Sequence, residues 1–227
     1  MRTAAIAAGL LMCVGISHAD TITFVSQPDT AYTSSTTLIP IGYPEASLIG
    51  SLSDGVLEID FLSGGSPELM QVDEVPDSWA TWGSPPATES PTPTVLASFD
   101  YDNEILYQFN RIVTTFGMEL EPDDTVNSHN IAATFLLSGT PQATLTLNVN
   151  GNGGALLFAA TGGSFDAVDV SSDVDFGSAE FRYELESQVP EPSLAIPVVA
   201  LLAGFAIYHA RSSAKFKFTP RRSTCGK

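Results

Sequence analysis

Three stretches of the chain alternate apolar and polar residues with a period of two. In VLEIDFL, Leu57, Ile59 and Phe61 alternate with Glu58 and Asp60; in ATLTLNVN, Leu145, Leu147 and Val149 alternate with Thr144, Thr146 and Asn148; in EFRYELE, Phe181, Tyr183 and Leu185 alternate with Glu180, Arg182 and Glu184. Successive strand side chains point to opposite faces, so this spacing predicts strands with one face buried. Turn signals stand between such runs at Asp54-Gly55, Ser138-Gly139, Asn150 to Gly154 and Thr161-Gly162-Gly163, residues that supply the backbone angles tight turns need. No sustained helical period occurs in the body of the chain. The pattern predicts an all-β fold, a single β-sandwich of jelly-roll type over residues 20–186.

Residues 66–93 interrupt the alternation with six prolines, and the run WATWGSPP within them holds Trp79 and Trp82. A long loop is the expectation here, and loops of this length in compact domains are often functional. Two tryptophans three residues apart suit an aromatic platform for a sugar ring, with a core role at one end of the sandwich as the other reading.

Charge alters the picture more than any motif. All 26 acidic residues lie between Asp20 and Glu191, where Arg111 and Arg182 are the only cations, a net of −24 without a single lysine. Nucleic acid is excluded as a partner, because nothing can neutralise its phosphates. The acidity instead suits divalent cations, a saline medium or a cationic polymer. Cys13 and Cys225 both lie outside the body, so no disulfide can cross-link it.

The two ends read as addresses. Met1-Arg2, the apolar run Ala4 to Ile16 and Ser17-His18-Ala19 have the three parts of a secretory signal peptide, residues 1–19, with cleavage after Ala19. Near the other end an apolar run covers residues 194–210, and Arg211, Lys215, Lys217, Arg221, Arg222 and Lys227 follow without an acid. Its 17 residues would reach roughly 26 Å as a helix, the short limit of a bilayer span. Acidic residues before the run and basic ones after it predict a transmembrane helix with residues 211–227 as a cytoplasmic tail.

Between body and span, in the linker 187–193, stand Val189, Pro190, Glu191 and Pro192. This motif, the apolar segment and the basic terminus together resemble the PEP-CTERM sorting signal of bacterial surface proteins. The resemblance implies an exosortase-type membrane peptidase as partner, Val189 to Pro192 as the recognition motif, and an association with exopolysaccharide. WATWGSPP, GGALLFAAT and DFGSAEFRY also look like the β-rich extracellular domains joined to such signals, a likeness that implies no activity.

Candidate chemistry in the body is sparse. His129 beside Ser128 lacks the strained turn and oriented acid of a nucleophilic serine site; the body offers neither a second histidine nor a cysteine for zinc. GNGGAL, residues 151–156, reads as a hairpin turn rather than a dinucleotide loop. Calcium is the one cofactor the pattern suggests: DYDNE puts Asp100, Asp102 and Glu104 on one side of an extended strand, and DVDFG does the same for Asp173 and Asp175, with a solvated acidic face as the alternative. No catalytic residue stands out. The expectation is an exported, non-enzymatic structural or glycan-binding protein at the cell surface or in an exopolysaccharide layer, with a carbohydrate-active hydrolase using paired carboxylates as the alternative.

Overall fold

A computed structural model describes residues 21–98 and 103–186. The signal peptide, the motif Val189 to Pro192, the apolar run 194–210, the basic tail, Asp100 and Asp102 lie outside the described residues. The described elements are β1 (Thr23–Val25), α1 (Thr30–Ser35), β2 (Thr37–Leu38), β3 (Leu48–Ile49), β4 (Ser51–Ser53), β5 (Glu58–Ser63), β6 (Ser66–Pro67), β7 (Met70–Glu74), β8 (Thr94–Ala97), β9 (Glu104–Pro122), β10 (Ser128–Leu137), β11 (Thr140–Asn150), β12 (Leu156–Ser171) and β13 (Phe176–Leu185). The chain is all-β, and its pairings are antiparallel. Among the described residues no helix is long and apolar enough to cross a membrane.

The strands form one hydrogen-bonded network in the order β11-β10-β12-β9-β13-β8-β7-β3. Its shape follows from a break in β9. One edge of β9 pairs with β5 over Leu106–Phe109 and with β13 over Val113–Pro122. At the change, Asn110, Arg111 and Ile112 are exposed, and the register to β12 jumps from Gln108 to Val113. Extra residues bend a strand and sharpen its twist. The bend folds the network over its own apolar face: Tyr107 donates to Ser178 Oγ at 3.0 Å, although Ser178 pairs opposite Leu120. Tyr107 and Leu120 would stand roughly 43 Å apart on a straight strand. The main core fills the fold, with Ile59, Phe61, Tyr107, Phe116, Phe135 and Phe181 fully enclosed. Tyr107 meets Phe61 edge-on at 5.6 Å and Phe181 at 5.9 Å.

Three local readings are corrected by the structure. Residues 66–93 are not one loop: β6 and β7 occupy their start, because Met70 and Val72 alternate with Gln71 and Asp73 and are buried. The loop proper is residues 75–93. Thr161-Gly162-Gly163 is a bulge inside β12, where the register to β9 shifts between Thr161 and Phe165. Residues 151–156 do not make a hairpin turn, since β10 lies between β11 and β12; Gly151–Gly153 is a 3-10 turn carrying the chain past β10.

Candidate functional site

In its C-terminal half β9 is buried on both faces. Phe116, Met118 and Leu120 point into the main core, and Thr115, Gly117, Glu119 and Glu121 point the other way. That second face is covered by α1 and by the strap formed by residues 75–93. On one side β13 gives it room by being small, with Gly177 and Ala179 opposite Glu121 and Glu119; on the other stand Ala155, Leu157 and Ala159. A Cβ at Gly177 would meet Trp79 Cζ2 at 2.9 Å and Val95 Cγ1 at 2.6 Å, closer than side chains tolerate.

Into this space the strap inserts both tryptophans, only 6% and 1% exposed, packed edge-to-face at 6.5 Å. The platform reading is thereby corrected, because neither ring has a face open to a sugar. Each indole N–H instead finds a carboxyl group on β9: Trp79 donates to Glu121 at 2.9 Å and Trp82 to Glu119 at 2.7 Å. A buried indole needs an acceptor for its one polar hydrogen, and alternate residues of one strand supply two of them. The Glu89 amide donates to the other Glu119 oxygen at 2.6 Å, and Thr81 lies 2.6 Å from the other Glu121 oxygen and 2.7 Å from the Gly151 carbonyl.

Both glutamates are fully enclosed. Burial pushes Glu119 up to about 8, against the donors from Trp82 and Glu89, and Glu121 up to about 7, against those from Thr81 and Trp79. Desolvation disfavours the charged form and here outweighs the hydrogen bonds. The charged neighbours of Glu119 are Glu89 on the strap and Glu180 on β13, and that of Glu121 is Asp123. Arg182 does not pair with either: its Nε donates to Glu89 at 2.6 and 2.8 Å, while Nη1 reaches the carbonyls of Thr33 and Thr36. One of the two body arginines thus joins β13, the strap and α1.

Glu119 and Glu121 were not singled out by the sequence. In GMELEP they alternate with Met118 and Leu120, the signature of a solvent-facing acidic stripe. The available signal was the nearby pair of tryptophans, whose indole hydrogens require acceptors once buried.

The acids weighed as calcium ligands fall at another place. Glu104 opens β9, exposed and opposite Ser171. Asp173 and Asp175 lie in the turn between β12 and β13 rather than on a strand, because Ser171 and Phe176 end the two pairings. With Asn103, Asp123 and Val174 they border an open groove of about 330 Å³. Beside it His129 bridges two turns, with Nε2 3.0 Å from Asp124 and Nδ1 3.0 Å from Asp173. The Asp124 bond raises the His129 pKa despite partial burial, with Asp173 adding to it. Asp124 is held well below the usual carboxylate range by Asn127, the Val126 amide and His129. Among the described residues no group of three His, Cys, Asp or Glu side chains is placed to hold a metal ion.

No protein-family model and no curated protein matches the chain. Among solved structures it is similar to the structure of CBM51-2 in complex with GlcNAc and INT domains from Clostridium perfringens ZmpB, at 9% identity and a TM-score of 0.35, over 69% of this chain and 42% of that one. It is also similar to the enzymatically active domain of tailspike protein 4 of bacteriophage CBA120, at 14% identity and a TM-score of 0.27, over 67% of this chain and 20% of that one. The chain spans less than half the length of either.

Proposed function

We propose that this is an exported cell-surface or matrix protein whose body is a non-enzymatic structural module, folded as a two-layered β-sandwich. The observation behind this reading is the closure of Glu119 and Glu121 by Trp82 and Trp79. A glycosidase needs two carboxyl groups flanking a cleft that admits substrate. Here Glu119 and Glu121, the two carboxyls whose pKa burial raises most, are fully enclosed and spend their oxygens on the strap. The same bonds remove the two indoles from the surface, so any contact with an exopolysaccharide runs over the acidic exterior.

Export and anchoring rest on residues 1–19 and on Val189 to Pro192, the apolar run and the basic tail. Two prolines remove backbone donors and restrict the residues before them, which suits this sequence as a recognition motif for a membrane peptidase of the exosortase type. The test is intact mass and cell fractionation of the protein from its own host, with and without Glu191→Ala. A mature form starting near Asp20 and ending near Pro192, lost in the variant, is the expected result. Persistence of the whole tail in the membrane in both cases would overturn the sorting part and leave a permanently anchored surface protein.

A further inference from the structure

We infer that β11 is a pairing edge for a second copy of this chain. Among the described residues six strands are paired on one side only: β1, β2, β3, β4, β6 and β11. The first five have two or three residues each, whereas β11 has 11. Short edges are a standard protection against unwanted pairing, as are edge lysines, prolines and bulges. β11 has little of this. Beyond Pro141 and the shift at Leu136, its register to β10 is unbroken from Ala143↔Phe135 to Asn150↔Ser128.

Two further observations indicate what covers this edge. Leu145 and Leu147 face the main core yet stay partly exposed, because among the described residues no strand lies beyond them. An added strand would complete their burial. The second is charge: residues 125–165, the whole β10–β11 hairpin included, contain no Asp, Glu, Lys or Arg. The body, residues 20–186, has a net charge of −23, and residues 125–165 are its longest uncharged run, so two copies meet there with the least like-charge repulsion. The neutral hairpin is the window through which they can approach, and a two-fold axis across β11 pairs the strand antiparallel with itself, giving a closed dimer.

The experiment uses the full chain in detergent with Cys13 and Cys225 replaced by serine, carrying single cysteines at Thr144, Thr146 or Asn148. All three positions are exposed, and Val126→Cys, 79% exposed, is the control. The expected result is a dimer by mass in which one β11 position forms the intermolecular disulfide about tenfold faster than the control, since pairing raises the effective concentration of the two thiols. Thr146→Glu should return the chain to monomer without lowering its melting temperature. A monomeric chain, or β11 thiols no faster than Val126→Cys, would overturn the proposal. So would slow amide exchange along β11 in a monomer, which assigns the edge to another segment of the same chain, or a dimer that survives Thr146→Glu without site-selective cross-linking.

Discussion

The Thr81 hydroxyl donates to the enclosed Glu121 carboxyl and lies within reach of a second acceptor, the Gly151 carbonyl. The Thr81 hydroxyl stands 2.7 Å from the Gly151 carbonyl and 2.6 Å from Glu121 Oε1. It has one proton, and the carbonyl can only accept. Thr81 shares that proton between Glu121 and Gly151, whose carbonyl also accepts from the Gly154 amide, and its bond to the carboxylate opposes the upward shift that burial causes. The hydroxyl links β9 through residue 81 to the turn after β11.

Stability should consequently decline with rising pH. Glu121 moves from an ordinary value of 4.5 up to about 7, and Glu119 to about 8. A carboxyl raised on folding stabilises fully below its unfolded value, and that contribution is lost as pH rises through the folded one. Unfolding free energies from urea titrations should fall between pH 4.5 and 8, by on the order of 3–5 kcal/mol per group. Glu121→Gln and Glu119→Gln together should flatten this slope and be more stable than the parent at pH 8.

Trp82→Phe keeps most of the ring volume but strips Glu119 of its indole donor. An unsatisfied buried acceptor costs about 1–3 kcal/mol, which equilibrium denaturation should register. Trp82→Ala should cost more, about 3–5 kcal/mol, because a cavity is added.

Tyr32 gives the opposite sign. Its hydroxyl is buried without a hydrogen-bond partner among the described residues, against the backbone of Gly117, where a Cβ would collide with Tyr32 Oη and Ala159. Tyr32→Phe should raise the melting temperature, corresponding to about 1 kcal/mol. Gly117→Ala should lower it, by about 1–3 kcal/mol for overpacking, and Tyr32→Phe should relieve part of that loss.

Arg182→Met breaks a mostly buried pair with Glu89, whose side chains are 13% and 12% exposed. Removing one partner strands the other, at a cost of about 3 kcal/mol. Strap and α1 share this arginine, so proteolysis within residues 75–93 should accelerate in the variant.

His129 should matter most in mild acid. Its raised pKa means stabilisation that is full below about 6.5 and lost as pH rises through the higher folded value; the lowered Asp124 value adds stability above about 3.8, lost on stronger acidification. His129→Gln should therefore lower the melting temperature more at pH 5.5 than at pH 8.5.

Local pattern was enough for the all-β class, for the strands around Ile59, Leu147 and Phe181, and for the turns at Asp54-Gly55 and Ser138-Gly139, because period-two burial and turn chemistry act over a few residues. The acidity of the body and the neutrality of residues 125–165 are likewise properties of the sequence itself. Which face of a strand meets solvent is not local. Glu119 and Glu121 have the spacing of exposed acids, and only the return of the strap from about 40 residues upstream encloses them. The bend of β9 at Asn110–Ile112 and the placing of β10 between β11 and β12 depend on which strands pair, a competition among contacts distant in sequence. Tertiary structure alone decided that the tryptophans are bolts rather than platforms, because an indole surface is used wherever its single N–H can be satisfied out of water.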